Sequence, residues 1–291
     1  MKQFKKSQAE AVFRALSQNA ELFLPMQTNE HSGFFSWNRK SEEDTVLLDA
    51  LNVYLPPKSV LIPPSEKMYI IHQDKEELKV EPVYENTAPT IIFGARSCDV
   101  EAIRCLDEVF LTRGFEDAYY KVRRENCTIV ANACYEPGPH CFCKDMGVEP
   151  VAGSIADGVI KDVGDVWLWE ERTDKGAALG AVLSSILEDS SHAEPQLKAF
   201  TNKADFAGLP ELLPPMFEHP IWDELAEPCG NCGICTYLCP SCYCFDIQVK
   251  MWGNDGYRFR CYDSCMYGEY SLMAGGHNPR PTGKERFRNR Y

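Results

Sequence analysis

The chain has 291 residues, of which 44% are hydrophobic, and its formal net charge is −13. This length allows one large domain or two modest ones, and the acidic charge argues against nucleic acid as the main partner. No apolar run approaches the length of a membrane span, and the basic N-terminus is followed by a polar amphipathic pattern unlike that of a signal peptide. We therefore expect a cytoplasmic protein with no membrane span.

The first part of the chain, residues 1–207, is predicted to be an α/β domain. Apolar residues recur at helical spacing in residues 7–19 and 42–52. The segments SVLIPP (59–64) and MYIIHQ (68–73) have the composition of short strands. Helices and strands therefore alternate from the beginning of the chain, which is the pattern of an α/β fold.

A strand–turn–helix unit comes next. The segment PTIIFGA (89–95) is an apolar, β-branched run of the kind found in buried strands, and Ser97 is a suitable N-cap for the helix that follows. Apolar residues at helical spacing continue to Phe110, and Gly114 stands where a helix would stop. The segment CTIVANA (127–133) repeats the buried-strand pattern.

The first part of the chain ends with two further predicted elements. Residues 161–173 are predicted to form a strand pair, and residues 175–189 an amphipathic helix. The second part, residues 208–291, opens with a proline-punctuated linker or short helix (209–220) and contains few strongly periodic segments. This composition predicts a small domain whose core consists partly of something other than side chains.

Fourteen cysteines occur in the chain, and in the reducing cytosol clustered cysteines indicate metal or redox chemistry more than disulfides. The segment CGNCGICTYLCP has the C-x2-C-x2-C-x3-C-P spacing of bacterial-type ferredoxins. Its cysteines are Cys229, Cys232, Cys235 and Cys239. Three thiolates must reach one small cubane from a single tight loop, and Gly230 and Gly233 permit the positive φ values that this requires. The run predicts that residues 208–291 form a small ferredoxin-like iron–sulfur domain with at least one [4Fe–4S] cluster. It is also compatible with two or more clusters.

The fourth ligand of this cluster stays open. In two-cluster ferredoxins the last cysteine of the run, here Cys239, ligates the other cluster, and a second such run is absent from the sequence. Either Cys239 closes a cluster with nearby thiols, or the chain is shorter than the functional protein. The nearby candidates are Cys242, Cys244, Cys261 and Cys265.

Two other interpretations of the run were weighed. Disulfides are disfavoured by the reducing cytosol. Zinc usually takes two separated cysteine pairs rather than three ligands in one loop. A zinc set is nevertheless compatible with the spacing of Cys229, Cys232, Cys261 and Cys265.

A second set of thiols lies in the first part of the chain. Cys98 follows one predicted strand and Cys134 follows another, so parallel neighbouring strands would bring both thiols to the same carboxyl edge, where open α/β sheets bind ligands. Cys141 and Cys143 lie in the loop after the second strand. These four thiols are either a site for a second cluster or a zinc ion, or ordinary buried and loop cysteines. Cys105 and Cys127 have the positions of core residues.

The terminal segment RPTGKERFRNRY carries five basic residues and one acidic residue. Most such tails are simply solvated. Two further roles fit this one: docking on an acidic partner, and screening the negative charge of a cluster.

Four motifs, in this order, resemble the β subunit of cytosolic sulfhydrogenases and the A subunit of anaerobic sulfite reductase. They are IFGARSCDVEAIRCLDEVF, ACYEPGPHCFCKDMGVEP, CGNCGICTYLCPSCYCFDI and SCMYGEYSLMAGGHNPRPTGKERFRNRY. The resemblance covers about two-thirds of the chain, from Thr90 onward, and the order of the motifs makes it specific. Members of this family usually continue past the RFRNR segment into a second cluster run, which is not in this sequence.

The resemblance implies cluster ligands and partners. The ligands of the first cluster are Cys229, Cys232, Cys235 and Cys239, and further matching cysteines are Cys242, Cys244, Cys265, Cys98, Cys134, Cys141 and Cys143. The family resembles iron–sulfur electron carriers that act between a flavin-containing subunit, linked to NAD(P)H or ferredoxin, and a terminal catalytic subunit of the hydrogenase or sulfite reductase type.

The main hypothesis is thus a non-catalytic electron-transfer subunit of an oxidoreductase complex. It needs no general acid or base, because the cysteines hold the iron and the surrounding protein tunes the potential. Two rivals are a cluster-linked reductase with its own substrate site in the α/β domain and a zinc-stabilised interaction module.

Overall fold

The computed structural model describes residues 1–74 and 77–291. Contacts within these ranges divide the chain into two compact units, residues 1–62 with 86–204 and residues 63–85 with 205–291. The sequence analysis divided the chain once, between residues 207 and 208. The structure differs from that division because residues 63–85 group with the C-terminal residues. The reason is strand pairing across a long sequence separation, which leaves no local signal in the sequence.

The described residues form the following elements. In chain order the strands are β1 (Lys2–Lys5), β2 (Glu21–Gln27), β3 (Ser32–Ser36), β4 (Thr45–Val46), β5 (Ser65–Gln73), β6 (Leu78–Pro82), β7 (Thr90–Arg96), β8 (Cys127–Asn132), β9 (Gly158–Asp162), β10 (Val166–Glu171), β11 (Glu188–Asp189), β12 (Phe245–Trp252) and β13 (Asp255–Tyr262). The helices are α1 (Ala9–Leu16), α2 (Lys58–Leu61), α3 (Ser97–Asp107), α4 (Ala118–Glu125), α5 (Asp174–Val182), α6 (Leu209–Leu212), α7 (Ile221–Ala226), α8 (Ile234–Leu238) and α9 (Gly283–Arg290).

The first unit is built on a mixed sheet with the order β11-β1-β10-β9-β8-β7-β2-β3, and β4 pairs with β2. Its centre, β2, β7, β8 and β9, is parallel, whereas the flanking pairs are antiparallel. Parallel neighbours need crossover connections, and the segment with α3 and α4 supplies the one between β7 and β8. The mixed α/β architecture expected for this part of the chain is therefore confirmed.

Helices cover both faces of this sheet. Ile91 and Phe93 of β7 pack in one apolar cluster with Val12 and Phe13 of α1. Successive side chains of a strand point to opposite faces, so the fully buried Ile92 belongs to the other face, where α3 contacts β7 and β8. Each such buried side chain contributes about 1.5–3 kcal/mol. The sheet is thus a rigid base for whatever its carboxyl edge carries.

Most predicted elements of the first unit are confirmed. Helix α1 lies inside 7–19, the strands β7 and β8 lie inside or beside 89–95 and 127–133, and the strand pair begins upstream of 161–173. Ser97, however, is the first residue of α3 rather than its N-cap; Arg96 is the N-cap, and no side chain caps the helix. The Oγ of Ser97 instead donates a hydrogen bond to the carbonyl of Pro150 at 2.6 Å.

Two predictions were wrong, and a third was confirmed only in its first half. The helix expected at 42–52 is a turn-rich segment with β4, because Leu48 is buried in the core and Leu47 N donates to Pro25 O across the sheet. The strand expected at 59–64 is α2, a single helical turn. The helix expected at 175–189 ends at Val182 because the chain turns to pair β11 with β1. In each case tertiary contacts override a local pattern.

The second unit contains an antiparallel sheet with the order β12-β13-β5-β6. The predicted strand MYIIHQ is part of β5 and is thereby confirmed, but it pairs with β13 rather than with the first unit's strands. A buried ion pair joins the two strands, Arg260 of β13 with Glu66 of β5, and both side chains are almost fully removed from water. In the described residues no helix combines the length and apolar character that a bilayer crossing needs.

Candidate metal centre

The loop cysteines, Cys229, Cys232 and Cys235, follow helix α7. The backbone between them bends through two residues with positive φ, Asn231 at 53° and Gly233 at 75°. A Cβ at Gly233 would lie 2.6 Å from the ring of Tyr267, so glycine is required there for space as well as for φ. Tyr267 also donates a hydrogen bond from its hydroxyl to the carbonyl of Cys232 at 3.3 Å. The loop is therefore held in a wrapped conformation.

The short helix α8 anchors the end of this loop. Thr236 lies inside it and donates a hydrogen bond from Oγ1 to the Oγ of Ser264 at 2.8 Å, and both side chains are buried. Tyr237 packs edge-on against Tyr262, with ring centroids 5.4 Å apart. These contacts attach the helix that carries Cys235 to the end of β13 and the turn after it.

The cleft cysteines, Cys239, Cys242, Cys244 and Cys265, line one open cleft of about 530 Å³. The first three come from the turn between α8 and β12, whereas Cys265 comes from the segment after β13 and is buried. The loop cysteines do not line this cleft. The structure thus groups Cys239 with the later cysteines, although sequence spacing placed it first with Cys229, Cys232 and Cys235.

Arg290, in the last turn of α9, provides positive charge at the cleft. Its guanidinium N–H groups lie 3.6 Å from the Sγ of Cys242 and 3.8 Å from the Sγ of Cys265, and another donates to the carbonyl of Cys235 at 3.0 Å. Burial alone would lower the pKa of Arg290, but the hydrogen bonds to the two thiols raise it. The proposal that the basic tail screens a negatively charged site has a direct structural basis in these contacts.

The thiols of the cleft influence one another's protonation. A hydrogen bond with Cys242, opposed by burial and assisted by a hydrogen bond from Tyr270, lowers the pKa of Cys244 to about 6. A hydrogen bond with Cys242, together with burial, raises the pKa of Cys239 to about 12. Both effects involve Cys242, which lines the same cleft as Cys239 and Cys244, and thiolates gathered in this way bind iron or zinc strongly.

The sheet-edge cysteines, Cys98, Cys134, Cys141 and Cys143, form a separate group in the first unit. All four line one small cavity. Cys98 is exposed as a residue, yet its thiol loses part of its hydration, and this loss, with the charges of Asp99 and Cys143, raises the pKa of Cys98 to about 12. Burial likewise raises the pKa of Cys134 and of Cys143. The structure therefore brings together the four thiols that the sequence placed at the carboxyl edge of the sheet.

The remaining cysteines take no part in these groups. Cys127 is buried on β8, as expected of a core residue. The prediction for Cys105 was wrong, because this residue lies on the outer face of α3 and is exposed. Cys261 lies on β13 opposite Asp246 of β12, and it does not line the cleft.

The donor sets were tested against the two metal alternatives. No cluster of three or more His, Cys, Asp or Glu side chains in residues 1–74 and 77–291 has the arrangement needed to hold a single metal ion. The zinc set considered from the sequence is divided in the structure, because Cys265 lines the cleft with Cys242 and Cys244 while Cys229 and Cys232 do not. The four cysteines of the cleft, with Arg290 beside two of them, have the donor chemistry of an iron–sulfur site.

Two features of the structure have no clear signal in the sequence. The contacts of Arg290 with particular thiols are one, since only the alternation of basic residues along the tail points to such a role. The other is a cavity of about 820 Å³ in the first unit, lined in part by Arg96, Asn132 and Cys134. The Oδ1 atom of Asn132 is buried without a hydrogen-bond partner among the described residues. No sequence motif marks this cavity.

Comparisons with known proteins agree with the donor chemistry. A family model described as a 4Fe-4S dicluster domain matches residues 228–291. The chain is similar to the sulfhydrogenase 2 subunit beta of Pyrococcus furiosus, with 32% identity over 289 residues, and the alignment covers 96% of this chain and 83% of the relative. No solved structure matches the chain significantly.

Proposed function

The chain belongs to the family of sulfhydrogenase β subunits, and from this premise we propose how it handles electrons. It is an iron–sulfur electron-transfer subunit of a multi-subunit oxidoreductase. In our proposal it accepts electrons from a flavin-containing subunit linked to NAD(P)H or ferredoxin. It delivers them to a terminal catalytic subunit of the hydrogenase or sulfite reductase type, and the complex is cytoplasmic.

The proposal assigns ligands within the second unit, which we take to be a ferredoxin-like domain. The loop cysteines supply three thiolates to one [4Fe–4S] cluster. Cys239 ligates the other cluster of the dicluster domain, together with Cys242, Cys244 and Cys265. The observation that carries this assignment is the cleft: four thiols line it, and Arg290 donates to two of them. Transfer of the last cysteine of the run to the other cluster follows the logic of two-cluster ferredoxins.

A bound cluster supplies one-electron storage, and the protein supplies the rest. Four thiolates bring four negative charges into a partly buried cleft, where the guanidinium of Arg290 offsets part of them. Backbone and side-chain N–H groups directed at sulfur favour the more negative, reduced form and so raise the potential. The openness of the cleft keeps the site accessible for transfer to a partner.

The test is an iron and acid-labile sulfide count on the chain purified anaerobically with its partner subunits. We expect about four iron atoms and as many sulfides for each cluster, with a broad visible absorption that dithionite bleaches. The variant Cys242→Ser should lose about one cluster's iron and sulfide. Cys261→Ser is the matched control, since this thiol lies nearby on β13 but outside the cleft.

Two results would overturn the proposal. A colourless preparation without sulfide removes the electron-transfer role, and zinc without sulfide instead indicates the interaction module. Equal iron content in Cys242→Ser and Cys261→Ser removes the assignment of the cleft cysteines while leaving the loop cluster in place.

A second candidate function is a cluster-linked reductase with its own substrate site. The cavity of about 820 Å³ favours it, because Arg96, Asn132 and Cys134 line a space large enough for a small substrate. Reduction of sulfite or a disulfide by the purified chain, with dithionite and no partner subunit, would support this candidate. Absence of turnover under those conditions, with turnover in the whole complex, supports the electron-transfer role.

A further inference from the structure

Four cysteines of the first unit, from three separate stretches of chain, meet at one place. Cys98 lies in the first turn of α3, Cys134 lies two residues beyond the end of β8, and Cys141 and Cys143 lie in the long loop before β9. All four line the same small cavity. The match to the dicluster domain begins at residue 228, so this set lies outside it.

Strand register explains the meeting of the first two thiols. In the parallel pair β7–β8, Arg96 is paired with Asn132. Cys98 and Cys134 each lie two residues beyond that pair, so the register alone delivers both thiols to the same carboxyl edge. One carbonyl connects the segments that follow β7 and β8, because Pro150 O accepts hydrogen bonds from Ser97 Oγ at 2.6 Å and from Cys134 N at 3.1 Å.

Tight turns hold the other two thiols in the loop. The N–H of Gly138 donates to the Sγ of Cys141 at 3.3 Å, and Cys141 N returns a hydrogen bond to Gly138 O at 3.1 Å. The carbonyl of Cys143 accepts hydrogen bonds from Met146 N at 3.1 Å and Val148 N at 2.9 Å. Amide N–H groups that donate to cysteine sulfur are a normal part of the surroundings of iron–sulfur clusters.

One positively charged side chain, Arg96, lines the same small cavity as the four thiols. The guanidinium of Arg96 is held beside them by hydrogen bonds to Leu48 O, Ala50 O and Ala133 O. One arginine cannot balance four thiolates, whereas a bound metal core deprotonates coordinating thiols outright.

We propose that Cys98, Cys134, Cys141 and Cys143 ligate a further [4Fe–4S] cluster at the carboxyl edge of the first unit's sheet. The donor set is entirely sulfur, as in Cys₄-ligated clusters, and the protein is already assembled with clusters of this type. Cys98 is exposed, so the site reaches the surface, as a centre that exchanges electrons with a partner must. The cluster gains one electron from a reduced flavin or ferredoxin-type donor and loses one to an acceptor, with its four Fe–S(Cys) bonds unchanged.

The experiment compares the wild-type complex with the double variant Cys134→Ser/Cys143→Ser. We expect the variant to lose about four iron atoms and about four sulfides, and to lose one signal from the electron paramagnetic resonance spectrum of the reduced protein. Cys105→Ser is the matched control, because this exposed thiol is on the same helix as Cys98 but does not line the cavity. It should retain the wild-type iron content.

A labelling measurement on the unaltered complex covers the case in which the double variant does not fold. Iodoacetamide should leave the sheet-edge cysteines unmodified in the native protein and alkylate them after iron is removed by an oxidant and chelator. Cys105 should react in both states. Rapid native alkylation of Cys98 and Cys141, or unchanged iron in a folded double variant, overturns the proposal, as does loss of one zinc ion in place of iron and sulfide.

This proposal and the proposed function fail separately. Loss of the sheet-edge cluster alone leaves the iron of the loop and cleft cysteines, which Cys229→Ser and Cys242→Ser report. Conversely, a preparation whose iron depends only on Cys134 and Cys143 would retain the inference and remove the ligand assignment in the second unit.

Discussion

In the first unit, cysteines from three separate stretches of chain reach one cavity because parallel strands end together, whereas in the second unit three of the four cleft cysteines are close neighbours in sequence. The sheet-edge cysteines lie at the edge of a sheet that packs in a large apolar core. The cleft cysteines lie among short helices, a turn and the final helix α9. Thiols can therefore be gathered by global topology or by local spacing, and we expect the two sets to respond differently to perturbation.

We expect the greatest loss of unfolding free energy from a change in the small core of the second unit, which carries the cleft cysteines. Arg260→Met removes the guanidinium that pairs with the buried carboxylate of Glu66, and breaking a buried pair in this way costs about 3–5 kcal/mol. Chemical denaturation should show the loss in the second unit. The double variant Glu66→Leu/Arg260→Met should recover most of it. A single-variant loss below about 1 kcal/mol would show that water reaches the pair.

The sheet edge can be perturbed at Gly94, which has φ of 89° and lies just before Arg96. An alanine Cβ there would lie 2.4 Å from the buried Leu48. Gly114→Ala is the control, since Gly114 has φ of 86° with no atom within 4 Å of an added Cβ. Both variants lose about 1–2 kcal/mol from the left-handed backbone, and Gly94→Ala should lose about 1–3 kcal/mol more from overpacking. Equal unfolding free energies would show that Leu48 moves aside without cost.

The loop cysteines can be tested in the same way. Gly233→Ala introduces a Cβ at φ of 75°, against Tyr267. Because the Tyr267 side chain is only half-buried, we expect the backbone cost of about 1–2 kcal/mol to dominate, together with partial loss of iron. Gly230→Ala is the control, with open space around the added Cβ. Iron analysis that finds both variants equally loaded would contradict the role given to the left-handed turn.

We expect the least change in free energy from a variant that alters the reduction potential of the cleft cluster rather than the stability of the fold. Arg290→Gln removes a positive charge whose N–H groups lie 3.6 Å and 3.8 Å from two cleft thiols. Since the site is partly exposed, we expect about 0.2–1 kcal/mol, which lowers a one-electron midpoint potential by about 10–40 mV. Arg288→Gln makes the same charge change on the same helix, but Arg288 contacts Phe217 and Glu218 instead. A redox titration should shift only for Arg290→Gln.

Local sequence patterns predicted the strands and helices correctly where a single segment packs directly on the core. The apolar run of β7 and the amphipathic spacing of α1 appear at their expected places, because burial on a sheet or against it imposes the same period that the sequence shows. The segment 42–52 failed for the opposite reason. Its apolar residues fit a helix equally well, and the carbonyls of Leu48 and Ala50 are instead taken up by Arg96.

The candidate sites divide along the same line. The cysteine spacing of 229–239 and its glycines indicated a cluster loop directly, because ligand geometry around one cubane limits the number of intervening residues. The sequence did not predict that Cys239 and Cys265 line the same cleft, or that Arg290 contacts the Sγ of Cys265. They depend on how β12, β13 and α9 fold back, and no short-range pattern encodes that.

The donor chemistry of this protein can be read from its sequence, which has thiols in numbers and spacings suited to iron–sulfur clusters and alternating helices and strands. Which thiols lie together, that β5 pairs with β13, and which cation contacts the sulfur atoms are apparent only in the folded chain. The physical reason is that ligand type and loop spacing are short-range properties of the chain. Register and charge proximity arise only when distant segments exchange hydrogen bonds and exclude water from the space between them.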